Sequence, residues 1–169
     1  MGNISLTPRR WLLTLHLLFS GILLGVSVAF LILSLFAVNT NDEGVFQACY
    51  HAMHLLSKTS VIASTIGALV TGVLLSVLTR WGLFKFYWII VKEVLTLVSI
   101  GLGPIGMYFW TLKAADLSSE QGLNALQDPG FIVNHRQMAV GIILQILSLV
   151  AMFILSVFKP WGERRVKKG

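Results

Sequence analysis

The sequence predicts an all-α membrane protein, a four-transmembrane-helix antiparallel bundle that forms one domain over residues 1–169. Apolar residues make up 56% of the chain and charged residues 12%, and the mean hydropathy is +0.81. Four stretches reach the roughly 20 apolar residues that a helix needs to cross a bilayer. This composition leaves no room for a separate soluble domain.

The four predicted helices cover residues 11–38, 50–78, 87–112 and 137–158. The first is too long for the apolar region of a signal peptide, so we expect it to be retained. Residues 113–136 are too polar for the membrane and are predicted to form an outer loop, with a short helix near 117–121 and a turn at 128–130. A loop of this length is a lid over a site or a plain connector.

The distribution of basic residues predicts how the protein is oriented in the membrane. Nine lysines and arginines flank the predicted helices on the side of the termini, against two, Lys113 and Arg136, on the other side. Because cytoplasmic loops retain Lys and Arg, we expect both termini in the cytoplasm and the protein in the cell membrane. The nine residues are Arg9, Arg10, Arg80, Lys85, Lys159, Arg164, Arg165, Lys167 and Lys168.

Charge and cysteine content exclude two classes of function. The net charge of +6 follows from the asymmetry across the membrane, so no nucleic-acid partner is expected. Cys49 is the only cysteine, which excludes an internal disulfide and thiolate-ligated metal clusters. Any redox chemistry must therefore use a cofactor.

Small residues at helical spacing predict close helix packing. They occur in the first helix as the pair Gly21 and Gly25, and Pro104 within the run GLGPIG predicts a kink in the third helix. The kink is a structural feature or makes room for a flat ligand. Further small residues of the second helix are Ala63, Gly67, Thr71, Ala68 and Gly72.

Three histidines are predicted at one depth near the outer face. His51 and His54 lie three residues apart on one face of the second helix, and Lys58 continues that face one turn deeper. His135 lies at the outer mouth of the predicted fourth helix, beside Arg136. Polar residues at membrane depth usually mark function, and helices two and four can face each other across a bundle.

This layer predicts a site for haem b, whose iron takes two axial imidazoles and whose ring needs an apolar slot. We predict His54 and His135 as the metal ligands and Arg136 and Lys58 as partners of the propionates, with His51 bonding a propionate or a loop carbonyl. One alternative is that the histidines bond only headgroups or loop carbonyls. A zinc or copper site is the other.

A second polar layer is predicted near the termini. His16 lies about five residues inside the first helix, and Lys92 and Glu93 lie at similar depth in the third. His16 and Met152 are candidate axial ligands of a second haem, and a quinone bound by His16 and Lys92 is the competing interpretation. The third interpretation is that these residues form a polar pair with a purely structural role.

The stretches TLHLLFSGILLG at Thr14 to Gly25 and TRWGLFKFYWIIVKEVLT at Thr79 to Thr96 resemble a group of small bacterial four-helix membrane proteins. More distantly, they are similar to cytochrome b561-like and copper-resistance D-type membrane proteins. In the b561-like cytochromes, transmembrane histidine pairs hold haem b and pass electrons between quinone and an outer acceptor. The resemblance implies an outer haem pair of His135 with His54 or His51, whereas His16 has no histidine partner.

Three classes of function follow. The first is a haem b-binding membrane protein for electron transfer, with quinone as a candidate partner, or for haem sequestration or oxidative defence; a membrane oxidoreductase belongs here. The second is a small transporter or channel in which Lys58, Lys92 and Glu93 line a path for protons, ions or a small substrate. The third is a structural subunit. The lipid bilayer is an expected partner in each, and a homo-oligomer is open.

Overall fold

The computed structural model describes residues 5–79 and 82–161. These residues are all-helical, which confirms the predicted fold class. Four helical segments are long and apolar enough to cross a membrane, and we call them spans one to four in chain order. They are Leu6–Asn39, Glu43–Leu78, Tyr87–Gln127 and Pro129–Phe158.

Spans one and four are single helices, α1 (Leu6–Asn39) and α6 (Pro129–Phe158). Spans two and three each change helix type near their middle, where a π-helical segment separates two α-helices. The elements of span two are α2 (Glu43–Leu56), a π-helical segment (Ser57–Val61) and α3 (Ile62–Leu78). Those of span three are α4 (Tyr87–Ile100), a π-helical segment (Gly101–Met107), α5 (Tyr108–Gln121) and a 3₁₀ helix (Gly122–Gln127).

The spans pack in a ring. Span one contacts spans two and four, and span three contacts the same two, so spans two and four lie diagonally across the bundle, as predicted. We call the end with residues 5 and 161 the terminal end, and the end with the 40–42 and 122–128 connections the distal end. Which end faces the cytoplasm stays a prediction, and Arg80 and the basic residues at 164–168 lie outside the described residues.

Different pairs of helices pack together in the two halves of the bundle. In the distal half α2 packs against α5, and the two π-helical segments contact each other near the middle. In the terminal half α3 packs on α1 and α4 packs on α6, whereas α3 and α4 are not among the extensively packed pairs. Spans two and three therefore diverge toward the terminal end.

The prediction that residues 113–136 form a loop is wrong. Helix α5 continues to Gln121, and α6 already begins at Pro129, so the connection is a short 3₁₀ helix rather than a lid. Asp128 caps α6, because its Oδ1 accepts from the Phe131 N–H at 2.9 Å and Pro129 stands at the first helical turn. That hydrogen bond, with a second from the Gln121 amide, lowers the pKa of Asp128 below its ordinary value.

Small residues of span two accept large side chains of span one, as predicted. A Cβ at Gly67 would lie 2.6 Å from the Phe19 ring, and one at Gly72 would lie 3.1 Å from the His16 ring. The prediction for Gly21 and Gly25 is wrong within this chain, because both are exposed and a Cβ at either meets nothing within 4 Å. Their side of α1 faces outward.

Pro104 lies inside the π-helical segment of span three, where the sequence predicts a kink. Proline lacks the N–H that an α-helix needs and clashes with the preceding turn. The wider π-helical turn accommodates the missing bond, and such turns occur often at functional sites. Gly103, one residue earlier, faces the centre of the bundle.

Candidate functional site

The three histidines of the distal half each bond a different hydroxyl group. His135 Nδ1 lies 3.2 Å from the Tyr50 hydroxyl. The other two histidines join span two to span three, because His54 bonds Thr111 at 3.3 Å and His51 bonds Ser119 at 2.9 Å. Within the described residues, no three His, Cys, Asp or Glu side chains gather in a group that could hold a metal ion.

The Tyr50 hydroxyl fixes the proton on His135. Tyr50 is fully buried, and His135 Nδ1 is its hydrogen-bond partner. A buried hydroxyl hydrogen needs an acceptor, so Tyr50 donates to Nδ1 and the Nε2 atom of neutral His135 carries the ring proton. A metal-bound imidazole must instead present a lone pair, so His135 fits an axial ligand only if this bond changes.

His54 has the opposite arrangement. The Thr111 hydroxyl donates to the Met107 carbonyl at 2.6 Å, so it accepts from His54 Nδ1–H. Nε2 of neutral His54 then presents its lone pair, as a metal ligand would. His54 is half-buried and its ring lies 5.4 Å from that of Tyr108.

Large side chains fill the space between spans two and four in the distal half. Tyr50 packs edge-on against Phe46 and Phe131, with ring centroids 5.2 and 5.5 Å apart. Phe131 also stacks on the His135 ring, with a centroid distance of 6.0 Å and an interplanar angle of 7°. These three aromatic side chains are 1% exposed or less, so the distal core is densely packed.

The predicted propionate partners lie on the surface. Lys58 belongs to the π-helical segment of span two and Arg136 to the second turn of α6, and both side chains are exposed. Arg136 lies at the mouth of an outward-facing groove between spans three and four.

The terminal half contains a second histidine site, built around His16. Its Nδ1 lies 3.0 Å from both the Ala68 carbonyl and the Thr71 hydroxyl. A carbonyl can only accept, so Nδ1 is the donor and Nε2 of neutral His16 presents a lone pair. Gly72 leaves the room that this ring occupies against α3.

Lys92 of span three lies in the same half of the bundle as His16. Its ammonium donates to the Ser156 hydroxyl at 2.8 Å and lies 5.9 Å from the centre of the Trp88 ring. His16 thus bonds span two and Lys92 bonds span four, so the terminal half contains two polar side chains with separate partners.

Met152, the predicted second axial ligand, lies one turn from Ser156 on α6. Its sulfur accepts a hydrogen bond from the Thr96 hydroxyl at 3.5 Å. Thr96 follows Lys92 by one turn on α4, so Met152 belongs to the Lys92 side of the site. The sequence alone gave no reason to include Thr96 or Ser156.

Several buried polar atoms near the site have no partner among the described residues. Glu93 Oε1 is one, so Glu93 is not paired with His16 or Lys92. An unsatisfied polar atom is costly in hydrocarbon, where water cannot reach it from the lipid side. The others are Thr65 Oγ1, Ser99 Oγ and both amide atoms of Gln145.

Gln145 lines a small cavity at the centre of the bundle. The cavity has about 10 Å³ for the centre of a water molecule, which is about the least that one water needs. It lies beside Gly103 and Met107 of the π-helical segment in span three and Ser27 of span one. The cavity thus places the unpartnered Gln145 amide beside space for about one water at the centre of the bundle.

The fold and these buried polar layers define a polytopic helical membrane protein. Residues 10–160 match the family described as predicted integral membrane protein, DUF2269, and the chain belongs to this family. No curated protein and no solved structure matches it. The predicted similarity to cytochrome b561-like and copper-resistance D-type proteins finds no support in these comparisons.

Proposed function

We propose that the protein is an electron-transfer protein of the membrane that binds a quinone-type ligand between His16 and Lys92. The observation that carries this proposal is the presence of an open imidazole nitrogen and an ammonium donor in the terminal half of an apolar bundle. Intramembrane ionisable residues are costly, so where they occur they usually mark a ligand site or a path. The same site was predicted from the sequence as one of three interpretations.

The chemistry of the two side chains suits a quinone. The Lys92 ammonium can donate to a quinone carbonyl oxygen, while Nε2 of His16 can accept from the hydroxyl of the reduced form. Both residues hold these atoms in place through second partners, Ser156 for Lys92 and Ala68 for His16. A flat, apolar ring with two polar oxygens fits such a pair of groups.

The divergence of α3 and α4 supports entry from the bilayer. A membrane-soluble ligand can reach a bundle interior only between helices, and these two are not extensively packed on each other. The unpartnered hydroxyl groups of Thr65 and Ser99 lie in the same two spans. They offer additional hydrogen bonds to a ligand or to waters that accompany it.

The test uses protein in lipid nanodiscs with a photoreactive ubiquinone, and decylubiquinone as competitor. We expect competed cross-links on α3 or α4. Lys92→Met removes the ammonium but keeps the stem, and His16→Asn keeps a donor toward Ala68 but removes Nε2. A hydrogen bond to a charged group contributes about 1.5–3 kcal/mol, so Lys92→Met should weaken binding roughly 10- to 100-fold.

Lys58→Met is the matched control, because Lys58 is an exposed lysine of span two outside this site. It should bind decylubiquinone as the unchanged protein does. Equal binding by Lys92→Met and Lys58→Met, or competed cross-links only in the distal half, would disprove the proposal.

Haem b at the distal layer is a second candidate, favoured by the open Nε2 of His54. His54→Ala and His135→Ala should then lose a Soret band or convert it to a high-spin form. The Tyr50 to His135 bond opposes this candidate, because it leaves the proton of His135 on Nε2. A protein expressed with added haem that has no Soret band would exclude it.

A further inference from the structure

The groove between spans three and four in the distal half has features of a lipid site. It is a shallow groove with about 420 Å³ of space, and it is largely open toward the surroundings of the bundle. Ligand sites commonly enclose about 300–1,000 Å³. The floor is apolar and is formed by Leu102, Val140 and Leu144.

A tryptophan held between glycines shapes the wall of the groove. A Cβ at Gly141 would lie 2.4 Å from the Trp110 indole, and one at Gly106 would lie 2.8 Å from it. The two glycines therefore let the indole lie flat between α5 and α6. Asn134 of α6 donates a hydrogen bond to the Trp110 carbonyl at 2.8 Å, which joins α6 to α5 beside the indole.

Arg136 and Gln137 lie at the mouth of the groove. They mark the boundary on α6 between a polar first part and the uncharged stretch that begins at Met138. Arg136 is exposed, and its guanidinium makes no hydrogen bond or ion pair within the described residues. Leu144 lies eight residues further along α6, about 12 Å deeper into the membrane.

We propose that this groove binds an anionic phospholipid, with its phosphate on Arg136 and one acyl chain along Val140 and Leu144. The charge of Arg136 complements an anionic headgroup, and guanidinium suits phosphate because of its paired donors. The apolar floor below a cationic mouth matches the two ends of a phospholipid. This site is separate from the one between His16 and Lys92.

The test measures quenching of tryptophan fluorescence by brominated phospholipids in proteoliposomes. The contribution of Trp110 is the difference between the unchanged protein and Trp110→Phe. Brominated phosphatidylglycerol should quench this component with about fivefold higher apparent affinity than brominated phosphatidylcholine, as expected for one basic residue near anionic lipid.

Three variants assign the preference to Arg136. Arg136→Lys should retain most of it, Arg136→Gln should lose it, and Lys58→Gln should retain all of it because Lys58 lies outside the groove. Equal quenching by the two lipids in the unchanged protein would refute the proposal. A preference that persists in Arg136→Gln would also refute it.

Discussion

Alanine at Gly67 tests the packing of span one on span two. The added Cβ would lie 2.6 Å from three atoms at the base of the Phe19 ring, well inside van der Waals contact. These atoms are close to the backbone, so the whole ring must rotate or α1 must move away from α3. Overpacking of this kind costs about 1–3 kcal/mol.

Gly25→Ala is the matched control. Gly25 also lies inside a long helix, but a Cβ there meets nothing within 4 Å. Both variants gain the same helix propensity, up to about 1 kcal/mol, so this term cancels when they are compared. We therefore expect Gly67→Ala to be about 1–3 kcal/mol less stable to unfolding than Gly25→Ala.

The assay is equilibrium unfolding in mixed micelles, followed by far-UV circular dichroism with increasing fraction of a denaturing detergent. Equal free energies of unfolding for the two variants would refute the packing of α1 on α3. A Gly67→Ala protein that is more stable than Gly25→Ala would refute it as well.

Three further predictions concern the cap of α6, the orientation of the bundle and the Tyr50 hydrogen bond. Asp128→Ala should destabilise the protein at pH 7, and the difference from the unchanged protein should shrink as pH falls below about 4, because the lowered pKa stabilises the fold only while the carboxylate is charged; thermal melts across pH check this, and a constant difference would contradict it. If the termini are cytoplasmic, a tag after Gly169 should be inaccessible to impermeant reagents in intact cells and a cysteine in Glu120→Cys should react; the reverse pattern would invert the orientation. Tyr50→Phe should lower the free energy of unfolding by about 0.5–1.5 kcal/mol, since it removes the hydrogen bond between buried Tyr50 and half-buried His135; no change in that free energy would contradict a stabilising role for this bond.

Hydropathy predicted the spans well, but it predicted their ends poorly. The apolar pattern ends where the membrane ends, near Leu112 and Gln137, whereas the helices continue into the polar region. Residues such as Lys113, Ala114 and Glu120 favour helix without being apolar. Asp128 followed by Pro129 was interpreted as a turn and is a helix cap.

The partners of the histidines could not be predicted from one sequence. Which side chain His16 meets depends on the rotation of two helices about their axes, and hydropathy does not specify that rotation. Nothing in the sequence indicated Tyr50 as the partner of His135, since a tyrosine near a membrane boundary is common. The division of the histidines between the two halves of the bundle could be predicted, because it follows from their positions along the spans.

The π-helical segment Ser57–Val61 has a consequence for how the two polar layers are aligned. A π-helical turn contains an extra residue relative to an α-helical one, so it offsets the angular phase of α3 against α2. If the same residues formed a continuous α-helix instead, α3 would be turned by about 100° relative to α2. His54 would keep Thr111, but Ala68 and Thr71 would turn away from His16. The extra residue thus allows α2 and α3 to be oriented separately about the axis of span two. Helix α2 presents His51 and His54 to span three, and α3 presents Ala68 and Thr71 to His16.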